Sequence, residues 1–175
     1  MLRSDVMDVR GWNLILLTAI GVLWLACGVQ REKPVISDDQ LVLRALESEV
    51  ALHPEDAVAR RVLAQSYLDV RAPGLALRTI EFAPRAVRSN PELEHVYARA
   101  LLDQGRSADA LAAEYRVLDA CSAGECTMSL LASASRRAAI LHELVALGVE
   151  DAPAHPEASA VAYHNATREA RLTLQ

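Results

Sequence analysis

Residues 63–77 read LAQSYLDVRAPGLAL, and residues 97–111, which begin 34 positions further along the chain, read YARALLDQGRSADAL. In both stretches, apolar and small residues at helical spacing are followed by a break, at residues 71–74 in the first and at Gly105 in the second. Each stretch therefore predicts two helices joined by a short turn. Five positions correspond at this interval: Leu63, Ala64, Tyr67, Ala76 and Leu77 match Tyr97, Ala98, Leu101, Ala110 and Leu111.

A helix–turn–helix unit that recurs every 34 residues resembles the tetratricopeptide repeat (TPR) family. Small residues stand where the helices of that family approach each other closely: Ala64, Ala76, Ala98 and Ala110. The resemblance covers residues 57–122, and residues 41–54 resemble the second helix of a preceding repeat. It departs from the family at the second-helix aromatic position, which holds Ile80 in one repeat and Glu114 in the other. The resemblance implies an all-α solenoid, a right-handed stack of antiparallel helix pairs.

The remaining elements follow from helix signals on either side of these repeats. Ser37 and Gln40 have capping-box spacing and predict a helix over residues 38–52. The second helix of the first pair is expected to run towards Val87. Residues 129–147 lack a central break and predict one long helix ending at Gly148, and a last helix from Pro156 to about residue 173 would cap the stack. Seven helices are thus expected, with repeats over 37–122 and a degenerate repeat with capping helices over 123–175.

The N-terminal region is a targeting or anchoring segment. Residues 11–30 are 20 uncharged residues between Arg10 and Arg31, which as a helix would extend about 30 Å and could cross a bilayer. Cys27 resembles the lipidated cysteine of a bacterial lipoprotein signal, which would make residues 1–27 a signal peptide and residues 28–36 a linker. An uncleaved single-pass anchor and a plain signal peptide remain alternatives. The favoured localisation is the cell envelope, membrane-associated and facing the periplasm.

Composition and motifs exclude several classes of function. A net charge of −5 argues against nucleic acid as a partner, because nucleic-acid-binding proteins carry a basic excess. His142 and Glu143 begin like a zinc-protease motif, but Ala146 stands where the second histidine belongs. No phosphate-binding loop, nucleophile elbow or dinucleotide fingerprint occurs in the sequence. We therefore expect no enzymatic activity, cofactor, metal or small-molecule substrate.

The sequence contains one close pair of cysteines, Cys121 and Cys126, separated by SAGE. A disulfide is reasonable if the chain is exported, and two small buried thiols are the alternative in a reducing compartment. A single pair does not supply the four ligands of a structural zinc site.

The TPR resemblance implies a partner-binding groove along the first helix of each pair. Carried onto this chain, its positions in the two repeats include Arg61, Gln65, Leu68 and Asp69, then His95, Arg99, Leu102 and Asp103. Within each row the polar members recur four residues apart and share one helix face. The hypothesis is that Arg61, Gln65, Arg99 and His95 donate hydrogen bonds to an acidic or C-terminal peptide segment, while Leu68 and Leu102 give apolar contact. A solvated face with locally paired charges is the alternative.

Together these features predict a membrane-tethered adaptor for protein–protein interaction in the bacterial cell envelope, an accessory or assembly factor of a larger complex. The alternative is a membrane-anchored chaperone or recruitment arm for an enzyme system such as cytochrome c maturation.

Overall fold

A computed structural model of the chain describes residues 38–172. Within that range the structure is all-helical and has no strand, as the sequence predicts. Its eight helices are α1 Asp38–Leu52, α2 Ala57–Asp69, α3 Pro73–Glu81, α4 Arg85–Arg88, α5 Pro91–Asp103, α6 Ser107–Ser122, α7 Met128–Ala146 and α8 Pro156–Leu172. The apolar segment at residues 11–30, Cys27, the linker at 28–36 and the Ser37 cap lie outside the described residues. No helix between residues 38 and 172 is both long and apolar enough to cross a membrane.

The helix starts follow the 34-residue interval. α2 begins at residue 57 and α5 at residue 91, and each is 13 residues long. Both are capped in the same way: Asp56 Oδ1 accepts hydrogen bonds from two backbone amides of α2 at 2.8 and 3.0 Å, and Asn90 Oδ1 accepts two from α5 at 2.9 and 3.2 Å. Asp and Asn are strong N-caps because their side chains satisfy amides that have no partner within the helix.

The second helix of the first pair is shorter than the sequence predicts. α3 ends at Glu81, and the single turn α4 begins only after Pro84. Proline has no amide hydrogen, so it cannot donate to the carbonyl of Ile80 and its ring would clash there. The expectation of one helix reaching Val87, and of seven helices in all, is therefore wrong for the described residues.

Successive long helices pack against each other, and α5 also lies against α2 and α3. The predicted close-approach positions Ala64, Ala76, Ala98 and Ala110 are each 0% exposed. Small side chains let the helix backbones come close, while leucines such as Leu93, Leu101 and Leu141 fill the space between them. A smaller cluster of Val117, Leu130 and Ala134 joins α6 to α7 beside the two cysteines.

The C-terminal helices match their predicted extents. α7 is one helix that ends just before Gly148, whose positive φ of 70° suits the residue that terminates a helix. At the start of α6, the backbone amide and hydroxyl of Ser107 both donate to the carbonyl of Glu150, at 3.3 and 2.6 Å. These bonds hold the loop after α7 against the start of α6.

Candidate functional site: an arginine-lined groove on α2, α5 and α7

A groove of about 350 Å³ lies between α2, α5 and the N-terminal half of α7. We call it the arginine groove and define it by Arg61, Gln65, His95, Arg99, Ser133 and Arg137. Four of these residues, Arg61, Gln65, His95 and Arg99, were predicted from the sequence to share a surface, and the structure brings them together.

The sequence analysis missed the wall that α7 contributes. Ser129, Ser133 and Arg137 line the groove from that helix. They follow His95, Arg99 and Asp103 by 34 residues each, so continuing the repeat interval past residue 122 would have found them. The 34-residue interval is hard to recognise beyond residue 122 because α6 has 16 residues whereas α3 has nine. The helix after α6 therefore starts later than the interval predicts.

The other predicted positions lie apart from the arginine groove. Leu68, Asp69 and Asp103 line a second cavity of about 480 Å³, and Arg99 borders both cavities. Apolar contact from the leucines stays a prediction, but little of their surface is open to a ligand: Leu68 is only 4% exposed, and Leu102 is partly buried against the hydrophobic core. These side chains are already used to hold the helices together.

A buried carboxylate lies beneath the groove. Glu114, on α6, is 0% exposed. Its Oε1 accepts a hydrogen bond from Arg137 Nη1 at 3.0 Å, and its Oε2 lies 2.9 Å from His95 Nδ1. Burying an unpaired carboxylate would be costly, so these two partners offset its loss of hydration. From the sequence, Glu114 is visible only as a departure from the aromatic residue of the repeat.

The same network fixes the orientation of the His95 ring. An ionised carboxylate only accepts hydrogen bonds, so a hydrogen bond between Nδ1 and Glu114 needs the ring proton on Nδ1. The approach of Arg137 Nη1 to the same nitrogen, at 3.3 Å, is then a contact and not a hydrogen bond. Nε2 lies 2.9 Å from Ser133 Oγ, and Arg137 Nη1 also donates to the backbone carbonyl of His95 at 2.9 Å. α5, α6 and α7 are thus joined by polar contacts at the base of the groove.

The groove has a cationic lining, with three guanidinium groups and one carboxylate, Glu92. Glu92 lies 3.1 Å from Arg61 Nε, and Arg137 is held by Glu114. Arg99 is half-buried and makes no hydrogen bond or ion pair with any residue from 40 to 168, the range whose side chains the structure describes. A half-buried guanidinium without a protein partner can offer all five of its donors to an anionic ligand.

The turn between α6 and α7 is closed by a disulfide. Cys121 and Cys126 are bonded, and their Cα atoms are 4.7 Å apart. Thr127 follows directly and caps α7, accepting a hydrogen bond from the amide of Leu130 at 3.2 Å. The groove lining next to the disulfide consists of the cap Thr127 and the first-turn residues Ser129 and Leu130. Within residues 38–172, no three His, Cys, Asp or Glu side chains are arranged to bind a metal ion.

Comparison with known proteins gives no relative for this chain: no protein-family model, no curated protein and no solved structure matches it. A functional assignment therefore has to come from the residues of the chain itself.

Proposed function

We propose that this chain is a membrane-tethered, TPR-like adaptor whose arginine groove binds an acidic segment of a partner protein. The architecture supports a repeat protein. Two helix pairs start 34 residues apart, their first helices α2 and α5 lie against each other, and buried alanines occupy the contact positions. In a right-handed stack of such pairs, the first helices form one continuous binding surface.

The unpartnered Arg99 carries the proposal for an acidic ligand. Arg61 and Arg137 add positive charge on either side of it, and His95, Gln65 and Ser133 add hydrogen-bonding groups. Guanidinium groups bind carboxylates through paired, charge-assisted hydrogen bonds, which are stronger than neutral ones. A carboxylate in the groove would take up the free donors of Arg99 without displacing any partner.

An elongated ligand fits better than a small one. The two cavities share Arg99, so one bound segment can run from the arginine groove into the second cavity. The second cavity contains Asp69 and Asp103 together with Arg71 and Arg99, so its charges balance and it has no excess of either sign. The preferred partner segment is therefore acidic at the end near α7 and without net charge beyond Arg99.

Binding can be tested by fluorescence anisotropy with a fluorescein-labelled hexaglutamate peptide and the full chain in mild detergent. Arg99→Ala should weaken binding by at least about tenfold, because one charge-assisted pair contributes on the order of 1.5–3 kcal/mol. Arg85→Ala is the matched control, since Arg85 is an exposed arginine that lines neither of these cavities. Equal losses in the two variants, or equal binding of hexalysine, would contradict the proposal.

The tether and the location form the second part of the proposal. The apolar N-terminal segment with Cys27 would attach the chain to a membrane, and the Cys121–Cys126 bond is typical of proteins in an oxidising compartment such as the periplasm. Labelled fatty acid should be incorporated into the wild-type chain but not into Cys27→Ser. If neither protein is labelled and both remain in the membrane fraction, the lipoprotein assignment is wrong and the segment is a spanning anchor.

The adaptor role follows from the kind of site that the groove offers. Its polar groups hold one another in place and leave one guanidinium open, which suits binding rather than bond-making chemistry. An accessory or assembly factor of a larger envelope complex is the function that this surface supports best. Crosslinking in intact cells from a photoreactive residue at position 65, compared with one at position 85, should capture a partner only from position 65.

A further inference from the structure

We propose that the Cys121–Cys126 disulfide keeps the arginine groove in its binding form, so that reduction of this bond weakens the hold on an acidic ligand. The inference rests on the proposed function and adds a redox dependence to the same site. It starts from the position of the disulfide in the chain. Cys126 is joined directly to Thr127, the N-cap of α7, and the first turn of α7 forms one wall of the groove.

The disulfide is part of the packing that holds this wall. Both cysteines lie against the small cluster of Val117, Leu130 and Ala134, which is separate from the main core. Leu130 belongs to both the cluster and the groove lining. A shift of the cysteines would therefore reach the groove through Leu130.

Few other interactions secure the turn. Residues 122–125 and 127–129 are exposed, and Met128 is 79% exposed, so the turn buries little apolar surface. Within the described range the backbone holds it mainly through amides of residues 123–125 bonded to carbonyls at the end of α6. Segments with few buried contacts open at low free-energy cost, so the covalent bond is the strongest constraint on this turn.

Thr127, Ser129 and Leu130 are the groove residues that this constraint positions. They belong to the N-terminal end of α7, whose partial positive charge favours an anion in the groove even though Thr127 already accepts from the Leu130 amide. The opposite part of the wall, Ser133 and Arg137, is held independently by His95 and Glu114. Loss of the disulfide should therefore reduce affinity by about three- to tenfold without abolishing binding.

The chemical step is thiol–disulfide exchange with a dithiol reductant. One thiolate of the reductant attacks Sγ of Cys121 or Cys126, the protein S–S bond breaks, and a mixed disulfide forms. The second thiolate then displaces the protein sulfur, so the reductant leaves as a disulfide. Two electrons and two protons pass to the protein, which gains two thiols.

The test compares hexaglutamate binding by the full chain before and after treatment with dithiothreitol. A thiol assay should find two additional thiols after reduction, and affinity should fall by about three- to tenfold. The variant Cys121→Ser/Cys126→Ser should bind like the reduced wild type and should not respond to dithiothreitol. Circular dichroism checks that each form remains helical.

Hydrogen exchange on the wild-type chain gives a second readout that needs no variant. Reduction should speed amide exchange at residues 128–131 and leave residues 137–144, farther along α7, unchanged. If two new thiols are counted but affinity and amide exchange are both unchanged, the disulfide proposal is wrong and the proposed function is not affected. If the oxidised chain fails to bind hexaglutamate, the proposed function is contradicted and the redox proposal falls with it.

Discussion

Replacing Glu114 with alanine removes the one carboxylate that is fully buried beneath the arginine groove. The variant leaves Arg137 and His95 facing each other without the charge that holds both, and it also opens a cavity. Removing one partner of a buried ion pair typically costs about 3–5 kcal/mol. Because the Arg137 side chain is 25% exposed and can regain contact with water, we expect the lower end, about 3 kcal/mol.

Two further variants separate charge from shape. Glu114→Gln keeps the volume and one acceptor for Arg137 but removes the negative charge, so it should cost about 1–2 kcal/mol. Asp109→Ala breaks an ion pair with Arg106 whose side chains are 56% and 48% exposed, and should cost less than about 1 kcal/mol. The expected order of destabilisation is therefore Glu114→Ala, then Glu114→Gln, then Asp109→Ala.

Urea unfolding followed by circular dichroism measures these differences as shifts in the midpoint at constant slope. A double-mutant cycle with Arg137→Ala should give a coupling energy of at least about 1 kcal/mol between Glu114 and Arg137. A loss of less than about 1 kcal/mol for Glu114→Ala, or equal losses for Ala and Gln, would refute the reasoning that a charged network organises the base of the groove.

Three further tests address separate parts of the structure. The pKa of Tyr67 is raised to about 12, mainly by burial and to a smaller extent by a 2.5 Å hydrogen bond to Glu47. The contribution of Tyr67 to stability is therefore full below pH 10 and is lost as pH rises towards 12. Tyr67→Phe should therefore lose less stability than wild type between pH 9 and pH 11.5 in urea melts. In thermal melts, Gly105→Ala should cost about 2 kcal/mol and Gly124→Ala about 1 kcal/mol, because both glycines have a positive φ that alanine disfavours. The cost is larger at Gly105 because the new Cβ would meet another side chain there, at 3.2 Å, whereas Gly124 has open space. Arg60→Met should cost about 2–3 kcal/mol in urea unfolding, because this buried guanidinium donates to two backbone carbonyls at 2.7 and 3.1 Å. A loss below about 1 kcal/mol would contradict a stabilising role for these two hydrogen bonds.

The sequence is most informative where one local rule determines the structure. The 34-residue interval predicts two helix pairs, and the alanines of that pattern are buried as expected. The structure adds the caps that start α2 and α5, Asp56 and Asn90. The early end of α3 was missed because apolar spacing through Ile80 continues to Val87, whereas the backbone constraint comes from Pro84. Apolar periodicity identifies which face is buried, but it does not show where a single proline interrupts the helix.

Only part of the candidate site could be predicted from the sequence. Arg61, Gln65, His95 and Arg99 were identified by carrying the groove positions of the TPR resemblance onto this chain, and helix periodicity then places each row on one helix face. The repeat interval reaches Arg137, but its direct hydrogen bond to the His95 carbonyl and the Glu114 carboxylate that both residues share follow only from the packing of three helices. Glu114 itself looked like an ordinary departure from a repeat pattern, and only packing shows that its carboxylate is buried and paired.

The central claim is that Arg99 and its neighbours receive an acidic segment, and an NMR titration tests it most directly. The side-chain Nε–H signals of the arginines and the backbone amides would be followed in the full chain, in detergent micelles, as unlabelled hexaglutamate is added. We expect the largest shifts at Arg99, with smaller ones at Arg61 and Ser129 and none at Arg85. Shifts centred on Arg85, or none at Arg99 at saturating peptide, would contradict it.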